Sequence, residues 1–289
     1  MTGSSYGTRP ITRERRSKAQ IEEIRAAIVE VVHAQRPISC RGTFYQLVAR
    51  GVVDKTEAEY KATVCRLLVE MRRSGDLPFS YIADGTRWMR KPASYLSVAD
   101  MLENNVATYR RMLWASQPTY VEIWLEKDAL AGVIYSVTEQ FDVPLMVSRG
   151  FSSITFLHSA GETIRDQGKP AVIYQLGDHD PSGVDIARHI EKELRACAPE
   201  IDITFSRLAV MPDQIEALSL PTRPTKKTDS RARGFTGESV DVDAIPAPAL
   251  RAIVRDAIVS HIDLAAWNRT LDVEEAERAS LQLFAESWG

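Results

Sequence analysis

The chain has 289 residues, 44% of them hydrophobic, and a formal net charge of −3 at pH 7. This length allows a substantial buried core and corresponds to one large domain or two modest ones. The mildly acidic balance gives no global sign of nucleic-acid binding, although it is compatible with a basic cleft. The three cysteines are widely spaced and form no CxxC pattern, which argues against a disulfide framework or a structural zinc site.

The N-terminal arm, residues 1–17, is rich in Gly, Ser, Thr and Arg, and we expect it to be flexible. It lacks the apolar core of a signal peptide, and no run in the chain approaches the roughly 18 apolar residues of a membrane span. We therefore expect a soluble protein of the cytoplasm, associated with the nucleoid if it binds DNA. The basic residues of the arm form either a solvated tail or a contact for nucleic acid.

Three helices are predicted next. Apolar residues recur at three- and four-residue steps after Lys18, which is typical of one face of an amphipathic helix, and Pro37 ends that helix. Ser39 is a candidate N-cap for a second, short helix that Gly51 closes. The third helix is predicted over residues 56–74, again from an apolar stripe at helical spacing.

A hairpin-like pair of short extended segments is predicted around the turn dipeptide Asp84-Gly85. Three short helices followed by a small β turn are the order of a winged helix-turn-helix, whose third helix enters the major groove of DNA while the wing touches the backbone. Three-helix units also serve as plain protein–protein modules, so both roles stay open. The candidate DNA contacts on the third helix and the wing are Lys61, Arg66, Arg72, Arg73, Arg87, Arg90 and Lys91.

After a helical connector over residues 93–118, short apolar strands alternate with helices. The predicted strands are TYVEIWLE, VPLMVS, AVIYQLG and DITFSRLAV. This alternation predicts an α/β fold, with a parallel sheet that helices cover on both faces. Beyond about residue 212 we expect a Pro-rich, basic loop, which either contacts DNA or is a solvated linker, and then a last helical region.

Acidic residues follow two of the predicted strands. Glu126 comes at the end of the first strand, and Asp178 and Asp180 follow the third. Ligands of parallel α/β sheets bind outside the carboxyl ends of the strands, so neighbouring strands would bring these carboxylates to one edge. A Mg²⁺ ion, which takes oxygen ligands, would relieve their repulsion. A simpler explanation, that Asp180 caps the helix opening at Pro181, leaves Asp178 and Glu126 unexplained.

The segments WLEKDALAGVI and GDHDPSGVDIA resemble the two acidic motifs of the Toprim fold, a magnesium-binding α/β unit of topoisomerases, primases and some nucleases. Within that fold, the chain resembles the A subunit of topoisomerase VI and its relatives, which include the meiotic double-strand-break transesterase and the short "mini-A" forms. The Glu-Lys-x-Ala sequence of the family is matched from Glu126 to Ala129, and its Asp-x-Asp-Pro-x-Gly sequence from Asp178 to Gly183. The resemblance covers roughly residues 20–210.

The resemblance implies a nucleophilic tyrosine four residues after an arginine, and RGTFYQLV supplies Arg41 and Tyr45 at that spacing. Tyr45 would attack a DNA phosphate and form a phosphotyrosyl bond, while Arg41 would stabilise the charge that grows on the phosphate. Lys127 is a further phosphate contact, or else a solvated residue beyond its strand. The helix that carries Tyr45 also needs a stripe of apolar residues facing the core, and Tyr45 lies beside that stripe. A structural role for this tyrosine therefore stays open.

The resemblance further implies a homodimer, in which the tyrosine of one protomer works with the metal site of the other. The sequence contains no P-loop, so strand passage would require a separate ATPase subunit of the B type. The expected function is Mg²⁺-dependent cleavage of double-stranded DNA by Tyr45. The alternatives are a hydrolytic Toprim nuclease in which Tyr45 is structural, and a DNA-binding protein that does not cut.

The expected architecture is an N-terminal winged helix-turn-helix joined to a Toprim domain with a Rossmann-like parallel sheet and a C-terminal helical extension. The predicted segments are a basic arm (1–17), a winged-helix domain (18–92), a helical connector (93–118), a Toprim domain (119–211), and a basic loop with a helical extension (212–289).

Overall fold

A computed structural model describes residues 16–83, 92–225, 235 and 237–288 of the chain. The predicted α/β class is confirmed, because the described residues form helices around a four-stranded, all-parallel sheet. No helix among the described residues is long and apolar enough to cross a membrane. Most of the basic arm and most of the basic loop after residue 225 lie outside the described residues.

Two capped helices open the described chain, α1 (Lys18–Gln35) and α2 (Cys40–Ala49). The Ser39 hydroxyl accepts a hydrogen bond from the Gly42 backbone N–H at 2.9 Å, which satisfies one of the free donors at the start of α2. The predicted end of α1 before Pro37 and the predicted N-cap at Ser39 are therefore confirmed.

The third predicted helix is present but is not uniform. It consists of a short α3 (Glu57–Glu59), a π-helical segment (Tyr60–Cys65) and α4 (Arg66–Ser74). Gly75 ends it with a φ of 88°, a left-handed conformation that favours glycine. The π-helical segment was not predicted. The predicted apolar stripe still faces the core, since Val64, Leu67, Leu68 and Met71 are buried.

The segment after α4 differs from the predicted hairpin in its first half. Residues Phe79–Tyr81 form a 3₁₀ turn, and the chain then makes a single parallel bridge between Ile82 and Ile38. The prediction of an extended segment is therefore wrong for Phe79–Tyr81, where 3₁₀ hydrogen bonding replaces strand pairing. The turn dipeptide Asp84-Gly85 and the rest of the predicted wing lie outside the described residues.

The sheet has the strand order β2-β1-β3-β4, and every neighbouring pair is parallel. All four strands occur where the sequence predicts them. Their bounds are β1 (Tyr120–Leu125), β2 (Leu145–Val147), β3 (Ala171–Leu176) and β4 (Ile203–Ala209). Because β1 and β3 pair in register from Tyr120↔Ala171 to Leu125↔Leu176, the residues that follow each strand emerge side by side.

Helices cover both faces of the sheet, as predicted. The remaining helices are α5 (Val98–Thr108), α6 (Ala131–Thr138), α7 (Ile154–Asp166), α8 (Pro181–Cys197), α9 (Pro212–Ala217), α10 (Ala247–Val259) and α11 (Leu264–Glu286). Helices α7 and α8 pack on one face around Trp124, and α6 and α10 pack on the other around Ile123. The helical connector is confirmed only over α5, and the predicted last helical region contains both α10 and α11.

The N-terminal helices share one hydrophobic core with the face of the sheet that carries α6 and α10. Ile28 of α1 and Leu67 of α4 belong to the same buried cluster as Val121 of β1 and Leu250 of α10. This continuous core fixes α2 beside the end of the sheet where the acidic residues lie.

A buried carboxyl group lies within the inner strand β1. Glu122 is 1% exposed, and it accepts hydrogen bonds from the Tyr120 hydroxyl at 2.8 Å and from the Trp124 indole at 2.7 Å. Burial raises the pKa of Glu122 to about 7, and the two hydrogen bonds only partly oppose that rise. The folded state therefore binds a proton here more tightly than the unfolded chain does.

We expect Glu122→Gln to remove a pH dependence of stability. The raised pKa stabilises the folded state below the ordinary glutamate value of 4.5, and this contribution is lost as pH rises to about 7. The amide oxygen can accept from the Trp124 indole while the amide NH2 donates to the Tyr120 hydroxyl, so the variant should gain up to about 3 kcal/mol over wild type at pH 8. Urea unfolding over a pH series measures this, with the exposed Glu103→Gln as control. Equal pH profiles for wild type and Glu122→Gln would contradict the assignment.

Candidate functional site

The carboxyl ends of β1 and β3 bring Glu126 and Asp178 together. The backbone N–H of Asp178 donates a hydrogen bond to Glu126 Oε2 at 3.1 Å. Gly177 lies between them, and a Cβ at this position would lie 2.5 Å from Glu126 Oε2 and would also clash with the Gln175 amide. The absence of a side chain at Gly177 thus makes room for the Glu126 carboxylate. We call this end of the sheet the acidic edge, formed by Glu126, Asp178 and Asp180.

Asp180 is the N-cap of α8. Its Oδ1 accepts a hydrogen bond from the Gly183 backbone N–H at 2.8 Å, and Pro181 occupies the first turn of the helix. A Cβ at Gly183 would collide with the carbonyl of Asp178, so glycine also lets the helix start close to the strand end. The capping role considered from the sequence is therefore present. The other carboxylate oxygen of Asp180 lies 3.5 Å from the Arg223 guanidinium.

Lys127 lies among three carboxylates. Its ammonium nitrogen is 2.8 Å from Asp178 Oδ1, 3.1 Å from Asp243 Oδ2 and 3.2 Å from Asp241 Oδ1. Burial alone would lower the pKa of Lys127, but these carboxylates outweigh burial and raise its pKa above the usual range. Lys127 is thus a charged, partly buried ion-pair partner, with 25% of its side chain exposed, and not a fully solvated residue.

Asp241 and Asp243 belong to the site but were not predicted. They lie in a short segment, residues 239–244, which we call the aspartate segment. Its Val240 exchanges backbone hydrogen bonds with His179 at 2.8 and 3.0 Å, and the Val242 N–H donates to Asp178 Oδ1 at 2.8 Å. The sequence signal was a second Asp-x-Asp pattern, VDVD, in a region without a recognisable strand–helix rhythm.

Tyr45 reaches the same cluster from α2. Its hydroxyl donates a hydrogen bond to Asp241 Oδ2, and its side chain is only 5% exposed. Burial, followed by the hydrogen bond to Asp241, raises the pKa of Tyr45 well above its usual range. The hydroxyl of Ser39, the N-cap of α2, donates to Asp243 Oδ1 at 3.1 Å. A series of side-chain contacts therefore links Tyr45 to the acidic edge through Asp241 and Lys127.

Arg41 does not join this cluster. Its guanidinium forms an ion pair with Glu57 at 3.0 Å and stacks over the Tyr60 ring at 3.8 Å. Among the contacts of the described chain, no hydrogen bond joins Arg41 to Tyr45, although both lie on α2. The i, i+4 spacing puts them on one side of the helix, but Glu57 and Tyr60 attract the guanidinium away.

The predicted DNA contacts on the third helix lie at the surface but are partly neutralised. Lys61 pairs with Glu57 at 3.3 Å, and Arg66 pairs with Glu70 at 2.6 Å. Arg72 lies against the Phe79 ring. The other predicted contacts are Arg73, which is exposed, and Arg87, Arg90 and Lys91, which fall outside the described residues.

Two further cations lie near Tyr45 and the acidic edge. Arg223 is 3.5 Å from Asp241 Oδ1 as well as from Asp180. The Lys55 ammonium donates to the Pro221 carbonyl at 2.8 Å and lies 5.4 Å from the centre of the Tyr45 ring. Arg223 belongs to the basic stretch for which DNA contact was left open, and Lys55 was not predicted. The position of each beside Tyr45 or the acidic edge depends on a contact between segments far apart in sequence.

The acidic edge has the donor chemistry that Mg²⁺ prefers, because all its ligands would be carboxylate oxygens. Burial and the nearby Asp178 charge raise the pKa of Glu126 to about 7, and the charge of Lys127 only partly opposes that rise. The Arg207 guanidinium, which donates to the Asp178 carbonyl at 2.8 Å, also lies close enough to interact with Glu126. In the part of the chain that the structure describes, however, no three His, Cys, Asp or Glu side chains are already arranged to hold a metal ion. The carboxylates of the acidic edge are chemically suited to Mg²⁺, and their role as metal ligands stays a prediction.

Comparisons with known proteins returned no family: no protein-family model matches the chain, and no curated protein matches it. The functional interpretation therefore depends on the contacts described above and on the sequence motifs.

We expect Lys127→Met to destabilise the protein strongly. The substitution leaves Asp178, Asp241 and Asp243 without their shared cation, and removing one partner of a buried ion pair costs about 3–5 kcal/mol. Urea unfolding at pH 7 measures the loss. Lys61→Met, which alters an exposed lysine, should change the free energy of unfolding by less than about 0.5 kcal/mol. Similar losses in the two variants would show that the Lys127 cluster does not stabilise the fold.

Proposed function

We propose that the protein cleaves duplex DNA by transesterification, with Tyr45 as the nucleophile and the acidic edge as a Mg²⁺ site. The observation that carries the proposal is the link from the Tyr45 hydroxyl through Asp241 and Lys127 to Asp178. A tyrosine and a carboxylate-rich strand end are thereby held in one cluster. The Toprim-like motifs at Glu126 and Asp178 support the same function by resemblance.

In this proposal α1, α2, the third helix and the segment beyond it form a winged helix-turn-helix, and the parallel sheet is a Toprim domain. The order of the three helices and the strand order β2-β1-β3-β4 are compatible with that assignment. Duplex DNA would lie across α2 and α4, with the exposed Arg73 directed to its backbone. Phosphate contacts of this kind position a duplex without reading its sequence.

The chemical step forms a bond between Tyr45 Oη and phosphorus and breaks the bond from phosphorus to a deoxyribose oxygen. The phenol proton leaves to water, and the released sugar oxygen gains a proton. The phosphotyrosyl ester keeps the energy of the broken bond for religation. Burial opposes ionisation of Tyr45, whereas the charges of Lys127 and Arg41 favour it. The cations near Tyr45 would therefore promote both attack and binding of the phosphate.

Glu126, Asp178 and Asp180 would hold the Mg²⁺ ion. When bound, the ion supplies positive charge that positions the scissile strand and offsets its developing negative charge. The raised pKa of Glu126 supports this assignment, because a nearby cation would relieve the burial of its negative charge. A homodimer and a separate ATPase subunit of the B type belong to the proposal through the family resemblance alone.

A hydrolytic nuclease is the second candidate function. The burial of Tyr45 favours it, because a tyrosine that is 5% exposed and hydrogen-bonded to Asp241 has a sufficient structural role. In that case the acidic edge would cut DNA with water as the nucleophile. A DNA-binding protein that does not cut is the remaining alternative.

We expect wild-type protein to form covalent adducts with supercoiled DNA in the presence of Mg²⁺. Tyr45→Phe should abolish these adducts, because it removes the attacking oxygen, and Tyr135→Phe should not, because Tyr135 is an exposed residue of α6. Detergent quenching followed by detection of protein-linked DNA measures the adducts. Cleavage that survives Tyr45→Phe would favour the hydrolytic nuclease, and binding without cleavage would favour the non-cutting protein.

We expect Mg²⁺ to raise the thermal midpoint of the wild-type protein, since a ligand that binds only the folded state stabilises it. Glu126→Gln should remove this shift, because it removes one of the three carboxylates proposed to hold the ion. Glu191→Gln, on the surface of α8, is the matched control and should keep the shift. The measurement is thermal unfolding with Mg²⁺ and with a chelator. A full Mg²⁺ shift in Glu126→Gln would contradict the assigned site.

A further inference from the structure

Three positively polarised groups converge on the carboxylate of Asp241. The Tyr45 hydroxyl donates to Oδ2, while the Lys127 ammonium lies 3.2 Å and the Arg223 guanidinium 3.5 Å from Oδ1. These groups come from three distant parts of the chain: helix α2, the end of β1 and the segment before residue 225. An anion at this point is therefore held from three sides by a nucleophile and two cations.

The same three groups are what a scissile phosphate would need. A phosphodiester has two charged oxygens, as a carboxylate does, and it binds lysine, arginine and hydroxyl donors at similar distances. For Tyr45 to attack, its oxygen must approach the phosphorus atom, which is the place that the Asp241 carboxylate now occupies. Asp241 and a DNA phosphate cannot contact Tyr45 Oη in this way at the same time.

The burial of Tyr45 strengthens this conclusion. With an exposed fraction of 5% and its hydroxyl on Asp241, Tyr45 cannot reach DNA unless that contact is broken. The aspartate segment itself is anchored through its own backbone: Ser239 exchanges two backbone hydrogen bonds with Arg223, and the Val242 N–H donates to the Asp178 carboxylate. Because these anchors do not involve the Asp241 side chain, its carboxylate can be displaced while the segment stays in place.

We propose that Tyr45, Lys127 and Arg223 form the binding site for the scissile phosphate, and that the Asp241 carboxylate occupies this site as an internal competitor until DNA displaces it. The identity of the ligand as DNA rests on the proposed function. The competition itself does not require that the bond be cut, so binding can be measured separately from cleavage.

The test compares Asp241→Asn with Asp243→Asn in the full-length protein. Both substitutions remove one negative charge beside Lys127, but Asp243 contacts neither Tyr45 nor Arg223 and instead lies against Ser39. The measurement is the affinity for a short fluorescent DNA duplex in the presence of a chelator, where no metal-dependent cleavage occurs. Asp241→Asn should bind about tenfold more tightly than wild type, because the competing charge is gone, and Asp243→Asn should show a much smaller gain.

The outcomes separate the two proposals. If the two variants bind the DNA duplex with equal affinity, Asp241 is not an internal competitor, even if wild-type protein forms covalent adducts with DNA. Tighter binding of Asp241→Asn without adducts from any variant supports the phosphate site and overturns transesterification. A lower thermal midpoint of Asp241→Asn with no gain in affinity shows that Asp241 only stabilises the fold, and it also overturns the competitor.

If Asp241→Asn does not fold, Arg223→Ala replaces it, since Arg223 is partly exposed and lies at the edge of the cluster. Loss of one phosphate contact should reduce the slope of log affinity against log salt concentration by about one. Arg255→Ala, which removes an exposed arginine of α10, should leave that slope unchanged. Equal slopes for both variants overturn the assignment of Arg223 to the phosphate site.

Discussion

The ion-pair cluster around Lys127 holds the parts of the site together. Asp178 follows the central strand β3, while Asp241 and Asp243 come from the aspartate segment, and each contributes a carboxylate within 3.2 Å of the same ammonium group. Tyr45 attaches α2 to this cluster through Asp241. Buried charges are costly to remove from water, so an arrangement of this kind persists only where every partner is present. One lysine thus joins the helical and sheet parts of the chain at the site, in addition to the hydrophobic core that they share.

Charge compensation divides the carboxylates of the site into two groups. Despite burial, Lys127, Tyr45 and Arg223 hold the pKa of Asp241 at about 2, so its neighbours favour the charged form of this carboxylate. Glu126, in contrast, has a pKa of about 7, because burial and Asp178 disfavour its charge. A cation that binds at the acidic edge would be stabilised most by the charge of Glu126. A phosphate would be stabilised most beside Lys127 and Arg223. The cation and the phosphate therefore need not compete for the same place.

The sequence predicts those features that depend on neighbouring residues. The Ser39 cap and the four strands follow from local residue patterns, and the placement of Glu126 beside Asp178 follows from parallel strand pairing. Contacts between distant segments were not predictable in the same way. Asp241 lies 196 positions from Tyr45, in a region whose pattern shows no strand–helix rhythm. Arg41 has the expected spacing from Tyr45, but Glu57 and Tyr60 determine its direction, and no local pattern reports them.

The geometry also bears on how many copies of the chain a cut requires. The family resemblance places the tyrosine of one protomer against the metal site of another, whereas here Tyr45 is joined to the acidic edge of its own chain through Asp241 and Lys127. If the phosphate binds between Tyr45 and Lys127, one chain supplies a nucleophile and metal ligands for one strand of a duplex. A double-strand break still needs two tyrosines, since each phosphotyrosyl bond consumes one. A dimer would then serve to set the spacing of two cuts, and completing each site would not require the partner.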